Sequence, residues 1–231
     1  ITEGGVVNCG SDVELTITAD ACHNIDSVVV NGVNAGAVET YTISAIDTDY
    51  TVAAYFSIKT YTITSSVNDT VMGTIPATDT FDCGETPTYE ITPNDGYYIV
   101  DVTVDGVSQG IITSYTFGSL DADHTIDAEF AMYTYTLTAT ANVGVTSTPA
   151  LGDTVVDYND SVTYTFTVDS CYEIADVLVD GVSMGAITTY TFDSITADHI
   201  IAVNAVVKTY TITSSVSDVL GGTVTPLGET T

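Results

Sequence analysis

The sequence predicts an all-β chain of tandem small-sheet modules, each about 75 residues long and without significant helix. Three observations carry this. Short runs such as "TYTIT", "VTYTFTV", "DVTVDGV", "SYTF" and "HTIDAEF" alternate apolar and polar residues and are rich in Val, Ile, Thr, Tyr and Phe, the pattern of half-buried strands. Asn31-Gly32, Asp105-Gly106 and Asp180-Gly181 are type I′ hairpin signals, because both central residues of that turn need positive φ. The same features also return at a fixed interval, the mark of a repeat architecture. No stretch shows a 3.6-residue apolar period.

The elements follow in order within each repeat. The hairpins align as "DSVVVNGVNAG", "DVTVDGVSQG" and "DVLVDGVSMG", with Gly32, Gly106 and Gly181 spaced by 74 and 75 residues. The following "YT[IF]" strands start at Tyr41, Tyr115 and Tyr190, and the "TYT[IL]T" strands place Tyr61, Tyr135 and Tyr210 at the same spacings. The expected division is residues 1–58 as a first repeat lacking its opening strand, 59–131 and 132–207 as second and third repeats, and 208–231 as the opening strand of a fourth. At the joints, as in "HTIDAEFAMYTYTLTATA", one strand runs into the next with no Gly/Ser- or Pro-rich linker. Such continuity predicts a stiff rod; the competing reading is a free bend at a pair such as Ala131-Met132.

Composition bounds the function. The 231 residues are 45% hydrophobic, enough to bury a core, and carry 31 acidic side chains against 2 Lys plus Arg, a formal charge of −29. A chain this acidic repels phosphate backbones and anionic lipid, which argues against nucleic acid as a partner. No apolar run reaches the ~18 residues of a membrane span.

Catalytic chemistry finds no foothold. His124 and His199 occupy the same repeat position inside "ADH", where a turn histidine bonded to Asp or backbone is the plainer reading than a base needed twice. Cys22-His23 lacks the partner spacing of a zinc site. No phosphate loop or nucleophile elbow occurs, so no enzyme and no required cofactor are expected. Acid pairs such as Asp47/Asp49 and Asp121/Asp123 sit in repeated turns; they read as solvated acids, with Ca²⁺ as the ion such oxygen-rich turns suit. Asn68 and Asn159 each open a glycosylation sequon and are candidate acceptors.

The stretches "YYIVDVTVDGVSQGIITSYTFGSLDADHTIDAEF" and "YEIADVLVDGVSMGAITTYTFDSITADHIIAV" resemble the divergent internalin B-repeat modules of prokaryotic surface proteins. That resemblance implies secretion to the cell surface, tandem arrays used as stalk or adhesive structure, a small β-grasp-like or sandwich-like sheet in each module, and no catalytic residues. The first repeat departs from the motif with Tyr50 in place of His124 and His199, and the third with Ala205 in place of Phe56 and Phe130.

The cysteines are the sharpest signal. Cys9 and Cys83 are repeat-equivalent, as are Cys22 and Cys171, so one type of position precedes the second strand of a repeat and the other follows it. Read as one straight strand, "SDVELTITA" would separate its ends by ~25–30 Å, whereas a disulfide needs Cα atoms ~4.4–6.8 Å apart. Cysteines therefore pair from the tail of one repeat to the head of the next, a geometry for which the loop from Ser65 to Asp82 is long enough to serve as the crossover. Cys22 is expected to bond Cys83 within the chain, and Cys171 to bond Cys9 of another copy. At the middle joint the equivalent positions hold Gly96 and Tyr158, and neither pair member is present. "TPLGET" near the end matches "TPALGDT", and "VVNCGSD" near the start matches "VVDYND", so the two together compose one repeat with eight extra residues at the seam. This reading makes the chain a self-associating subunit of an extracellular filament, a homopolymer in which Tyr210, Ile212, Val216 and Leu220 belong to a strand donated to the next copy. Two alternatives stand beside it: an excerpt of a long monomeric adhesin stalk, and a carbohydrate-binding module.

Overall fold

The computed structural model describes residues 4–215, 217 and 221–223. The chain is all-β, with no helix among the described residues, and divides into two compact units, Ile1–Ala131 and Met132–Thr231. The first unit holds two modules and the second holds one.

Module 2, in the first unit, comprises β6 (Thr60–Val67), β7 (Gly73–Thr74), β8 (Asp79–Asp82), β9 (Thr88–Glu90), β10 (Thr92–Pro93), β11 (Tyr97–Val104), β12 (Val107–Gly110), β13 (Ser114–Thr116) and β14 (His124–Met132). These follow β1 (Val13–Thr16), β2 (His23–Val30), β3 (Val33–Asn34), β4 (Thr40–Ile43) and β5 (Val52–Ile58) of module 1. The main sheet of module 2 has the order β12-β11-β14-β6-β8. Its neighbours β6 and β14 run parallel, from Ile63 opposite His124 to Val67 opposite Ala128. The β9–β13 and β7–β10 pairs are separate two-stranded sheets, and Tyr89, Ile91 and Phe117 from that part of the chain share one buried cluster with Ile63, Val102 and Ile126 of the main sheet.

Module 3 forms the second unit with β15 (Thr134–Ala141), β16 (Val145–Thr148), β17 (Gly152–Asp157), β18 (Val162–Val168), β19 (Tyr172–Val179), β20 (Val182–Ser183), β21 (Thr189–Phe192) and β22 (His199–Val207). Its sheets are β17-β15-β22-β19-β20 and β16-β18-β21, the same arrangement, with Leu137 opposite His199 in the parallel pair. The hairpin residues Asn31, Asp105 and Asp180 have φ of 48°, 50° and 50°, each followed by a positive-φ glycine, as a type I′ turn requires.

Two local expectations are corrected. Residues 65–82 are no free crossover: after β7 the chain returns along β6 as antiparallel β8, Tyr61 opposite Phe81. The strand read over residues 11–19 is regular only as β1, because its partner β4 pairs with four residues, from Val13–Ile43 to Thr16–Thr40.

Module 1 is built differently. Its main sheet is β3-β2-β5 alone, so among the described residues no strand lies on the far edge of β5. Residues 5–8 fall at the repeat positions of β8 and β17 yet form no strand. Of its apolar side chains only Val28, Val30 and Ile43 are buried among the described residues.

Candidate functional site

The site is a groove in module 1 where the other modules carry a strand. In module 2, β6 lies between β14 and β8; in module 3, β15 lies between β22 and β17. The same place in module 1 is a groove of about 760 Å³, lined by Val6, Val13, Leu15, Ile46, Asp49 and Val52 among others. Cys9 also lines it.

Exposure shows what the groove lacks. Val52 is 41% exposed, whereas its equivalents Ile126 and Ile201 are 0% and 1% exposed. Phe56 is 43% exposed against 2% for Phe130. Ile63 and Leu137, on the strands that run beside Ile126 and Ile201, are fully buried. Their repeat equivalent is Ile212, which is 80% exposed, and neighbouring Tyr210 is exposed as well. Large aliphatic side chains left in water forgo about 1.5–3 kcal/mol each, and a β5 edge of unpaired N–H and C=O groups is a template for another strand. Val216 and Leu220 lie outside the described residues.

Polar groups around the parallel pair repeat as well. Asp123 accepts the N–H of Thr62 at 2.8 Å, and Asp198 accepts that of Thr136 at 2.7 Å. These are the acids of "ADH", and their equivalent on the groove is Asp49. Further along, Asn68 clamps the main chain of Phe130, accepting its N–H at 3.0 Å and donating Nδ2–H to its carbonyl at 2.8 Å. Asn142 makes the same pair with Ala205 at 2.8 and 2.7 Å. Asn68, although exposed, thus has both polar atoms of its amide in hydrogen bonds to the main chain. Asn159 sits in an exposed turn at φ 65°.

The cysteine joints are the second part of the site. Cys22 and Cys83 form a disulfide with Cα atoms 5.4 Å apart. Around it the N–H of Lys59 donates to Cys22 O and the N–H of Cys83 to Lys59 O, both at 2.8 Å, while Lys59 Nζ donates to Ala21 O at 2.8 Å. At the tail of module 3 the N–H of Lys208 donates to Cys171 O at 2.8 Å and Lys208 Nζ donates to Ser170 O at 3.3 Å. Cys171 and Cys9 are exposed free thiols. The lysines were legible but overlooked: the chain's whole complement of Lys and Arg is these two. Each stands at a joint with a tail cysteine, and Tyr133 takes the place at the joint without one.

The repeated histidines each meet an aspartate and a phenylalanine of their own module. His124 Nδ1 lies 2.7 Å from Asp105 Oδ2 and its ring packs on Phe117; His199, Asp180 and Phe192 repeat the arrangement. The carboxyls of Asp105 and Asp180 are held below their ordinary range, mainly by the N–H groups of Thr125 and Ile200 and then by the histidines. Module 1 uses Asn31 instead, whose Oδ1 accepts the N–H of Thr51 at 2.8 Å. Among the described residues no group of three or more metal-ligating side chains converges.

No family model and no curated protein matches the chain, so the likeness to internalin B-repeats rests on the motif residues alone. Three solved structures share 10% identity with it. They are the TIE protein of Bacillus anthracis (TM-score 0.31, 84% of this chain and 51% of that one), the major pilin protein (T-13) of Streptococcus pyogenes serotype GAS131465 (0.22, 86% and 97%) and the I9–I11 tandem of titin (0.14, 85% and 93%). The chain spans about half the length of the TIE structure. Likenesses this distant assign no function, and the functional reading rests on the groove and the joints.

Proposed function

We propose that the protein is a non-catalytic structural subunit of an extracellular filament. Residues 208–231 of one copy enter the module 1 groove of the next, and Cys171 bonds Cys9 across the seam. The observation that supports this best is the register shared by modules 2 and 3. Carried to the seam, it pairs Ile212 with Tyr50, Ser214 with Val52 and Val216 with Ala54. Thr211 N–H is then aimed at Asp49, and Tyr210 lies opposite Val7. The donor would run parallel to β5 and antiparallel to residues 5–8, as β6 does between β14 and β8. Such a head-to-tail contact does not close on itself, so repetition grows a filament.

The test is removal of residues 208–231. The shortened chain should remain folded, with Cys22 bonded to Cys83, and should fail to extend filaments; normal growth would sink the proposal. The stalk reading places the same donor and groove within one longer polypeptide. Mass after denaturation and reduction decides between them: a species near the 24.2 kDa of this chain supports subunits, and one several times larger supports the stalk.

A further inference from the structure

In module 2, β7 sets Gly73 against the Phe130 ring. A Cβ at Gly73 would lie 2.5 Å from Cζ and 2.6 Å from Cε1 of that ring, far inside van der Waals contact. Module 3 fills the same place with the sizes changed on both sides. Gly73 pairs with Pro93 and Val145 pairs with Val168; Pro93 and Val168 are repeat equivalents, so Val145 stands where Gly73 does. Ala205 stands where Phe130 does, and both Val145 and Ala205 are buried in the module 3 core. One module thus uses glycine with phenylalanine and the other valine with alanine. Cores accept such exchanges when total volume is kept and resist them one at a time.

The seam carries one of these two solutions. Residues 221–223 read Gly-Gly-Thr, and Gly222 stands at the same repeat offset from Gly73 as Ile212 does from Ile63. On the groove side the aromatic is Phe56, exposed in the isolated chain and equivalent to buried Phe130. We infer that Gly222 receives the Phe56 ring of the next copy and that this match selects the donor's partner. The segment fits a module of the phenylalanine type, such as module 1. On an open groove built with the valine–alanine solution that module 3 closes with its own β15, the same glycine would face an alanine and leave a gap. The inference rests on the strand-donation reading above and names the contact that makes it specific.

Seeded elongation of purified subunits tests it. Gly222→Val should slow elongation about 5- to 150-fold, the range expected of an overpacked core contact. Adding Phe56→Ala to the same chain recreates the module 3 pair and should restore most of the rate. Trace Gly222→Val mixed with wild-type subunits should shorten filaments, because it keeps a working groove and caps each end it joins. This capping result decides the matter should Phe56→Ala disturb module 1, since Gly222 belongs to no folded module of its own chain. Wild-type elongation by Gly222→Val, a double variant no faster than the single, or unchanged filament length in the mixture would each overturn the inference. Removal of residues 208–231 separates the two levels: if that deletion stops growth while Gly222→Val does not, strand donation stands and the glycine match falls.

Discussion

The main-chain N–H of Lys208 donates to the carbonyl oxygen of Cys171 at 2.8 Å, reproducing the bond of Lys59 to Cys22 at 2.8 Å. The tail of module 3 therefore already holds the backbone arrangement that surrounds the intrachain disulfide. On the strand-donation reading, Cys9 N–H would complete it by donating to Lys208 O, as Cys83 N–H does to Lys59 O. Non-reducing denaturing gels of filaments are expected to show a ladder of covalent multimers that reductant collapses to one band. Cys9→Ser should abolish the ladder and leave Cys22–Cys83 in peptide maps. A map joining Cys9 to Cys22 of the same chain would refute the tail-to-head rule.

The acid side of the stability profile follows from Asp105 and Asp180. Folding lowers both carboxyl pKa values, so their stabilisation is complete above the unfolded carboxyl pKa. It is lost as pH falls through the lower folded value. His124 and His199 face them, and the N–H groups of Thr125 and Ile200 bond them. Asp105→Asn with Asp180→Asn copies Asn31 of module 1, keeping a main-chain acceptor at a positive-φ position and removing the titration. The double variant should be less stable than wild type at neutral pH, with the gap closing in acid. A gap that stays constant with pH contradicts this account.

On the strand-donation reading, a clamp is incomplete at the seam. Asn68 and Asn142 each grip both main-chain groups of a residue on the parallel strand, whereas the donor carries Ser217 at that position. Ser217→Asn supplies the missing amide for the main chain of Phe56. At about 1 kcal/mol net for an added hydrogen bond, subunit loss from filament ends should slow roughly five- to tenfold. Dilution-induced shortening followed by electron microscopy measures it, and an unchanged rate places Ser217 off the clamp register.

Much of this was legible in the sequence, because period-2 alternation and Asn/Asp-Gly turns encode hairpins locally. The 74- and 75-residue intervals then align Cys22 with Cys171 without any structure. Less legible was what long-range pairing decides. Residues 65–82 contain Gly73 and Pro76 and read as a loop, yet β8 returns along β6 because Phe81 belongs over the same face as Tyr61. The roles of Asp123 and Asn68 were hidden because each bonds main-chain groups about 61 residues away. Acidic and amide residues in turns read as solvated until the parallel strand is placed beside them.

On the filament reading, charge sets the conditions for assembly. Each chain carries 29 net negative charges, and screening reaches ~30 Å at 0.01 M salt but ~8 Å at 0.15 M. Filaments should shed subunits faster in low salt. If the acidic turns take up Ca²⁺ weakly, millimolar calcium should restore them where equal ionic strength of sodium does not. Equal melting temperatures with and without chelator at low ionic strength would leave screening alone as the cause.

The size exchange between Gly73 and Phe130 can be tested inside a module, independent of any assembly. Gly73→Val places side-chain carbon where the ring of Phe130 already lies. β7 cannot retreat without losing its pairing to β10, so the cost should fall in the ~1–3 kcal/mol range of overpacked cores. Phe130→Ala alone removes a buried ring and should cost ~3–5 kcal/mol. The double variant has the valine and alanine of module 3, whose Val145 and Ala205 pack with Tyr172 partly buried beside them. It should therefore be more stable than the sum of the single losses predicts, with a coupling of about 1 kcal/mol or more between the two sites. Denaturant unfolding of the four chains gives the cycle, read from the transition that exposes the Cys22–Cys83 module pair. Strict additivity would show that Gly73 and Phe130 do not share space, and it would remove the steric basis for matching Gly222 to Phe56.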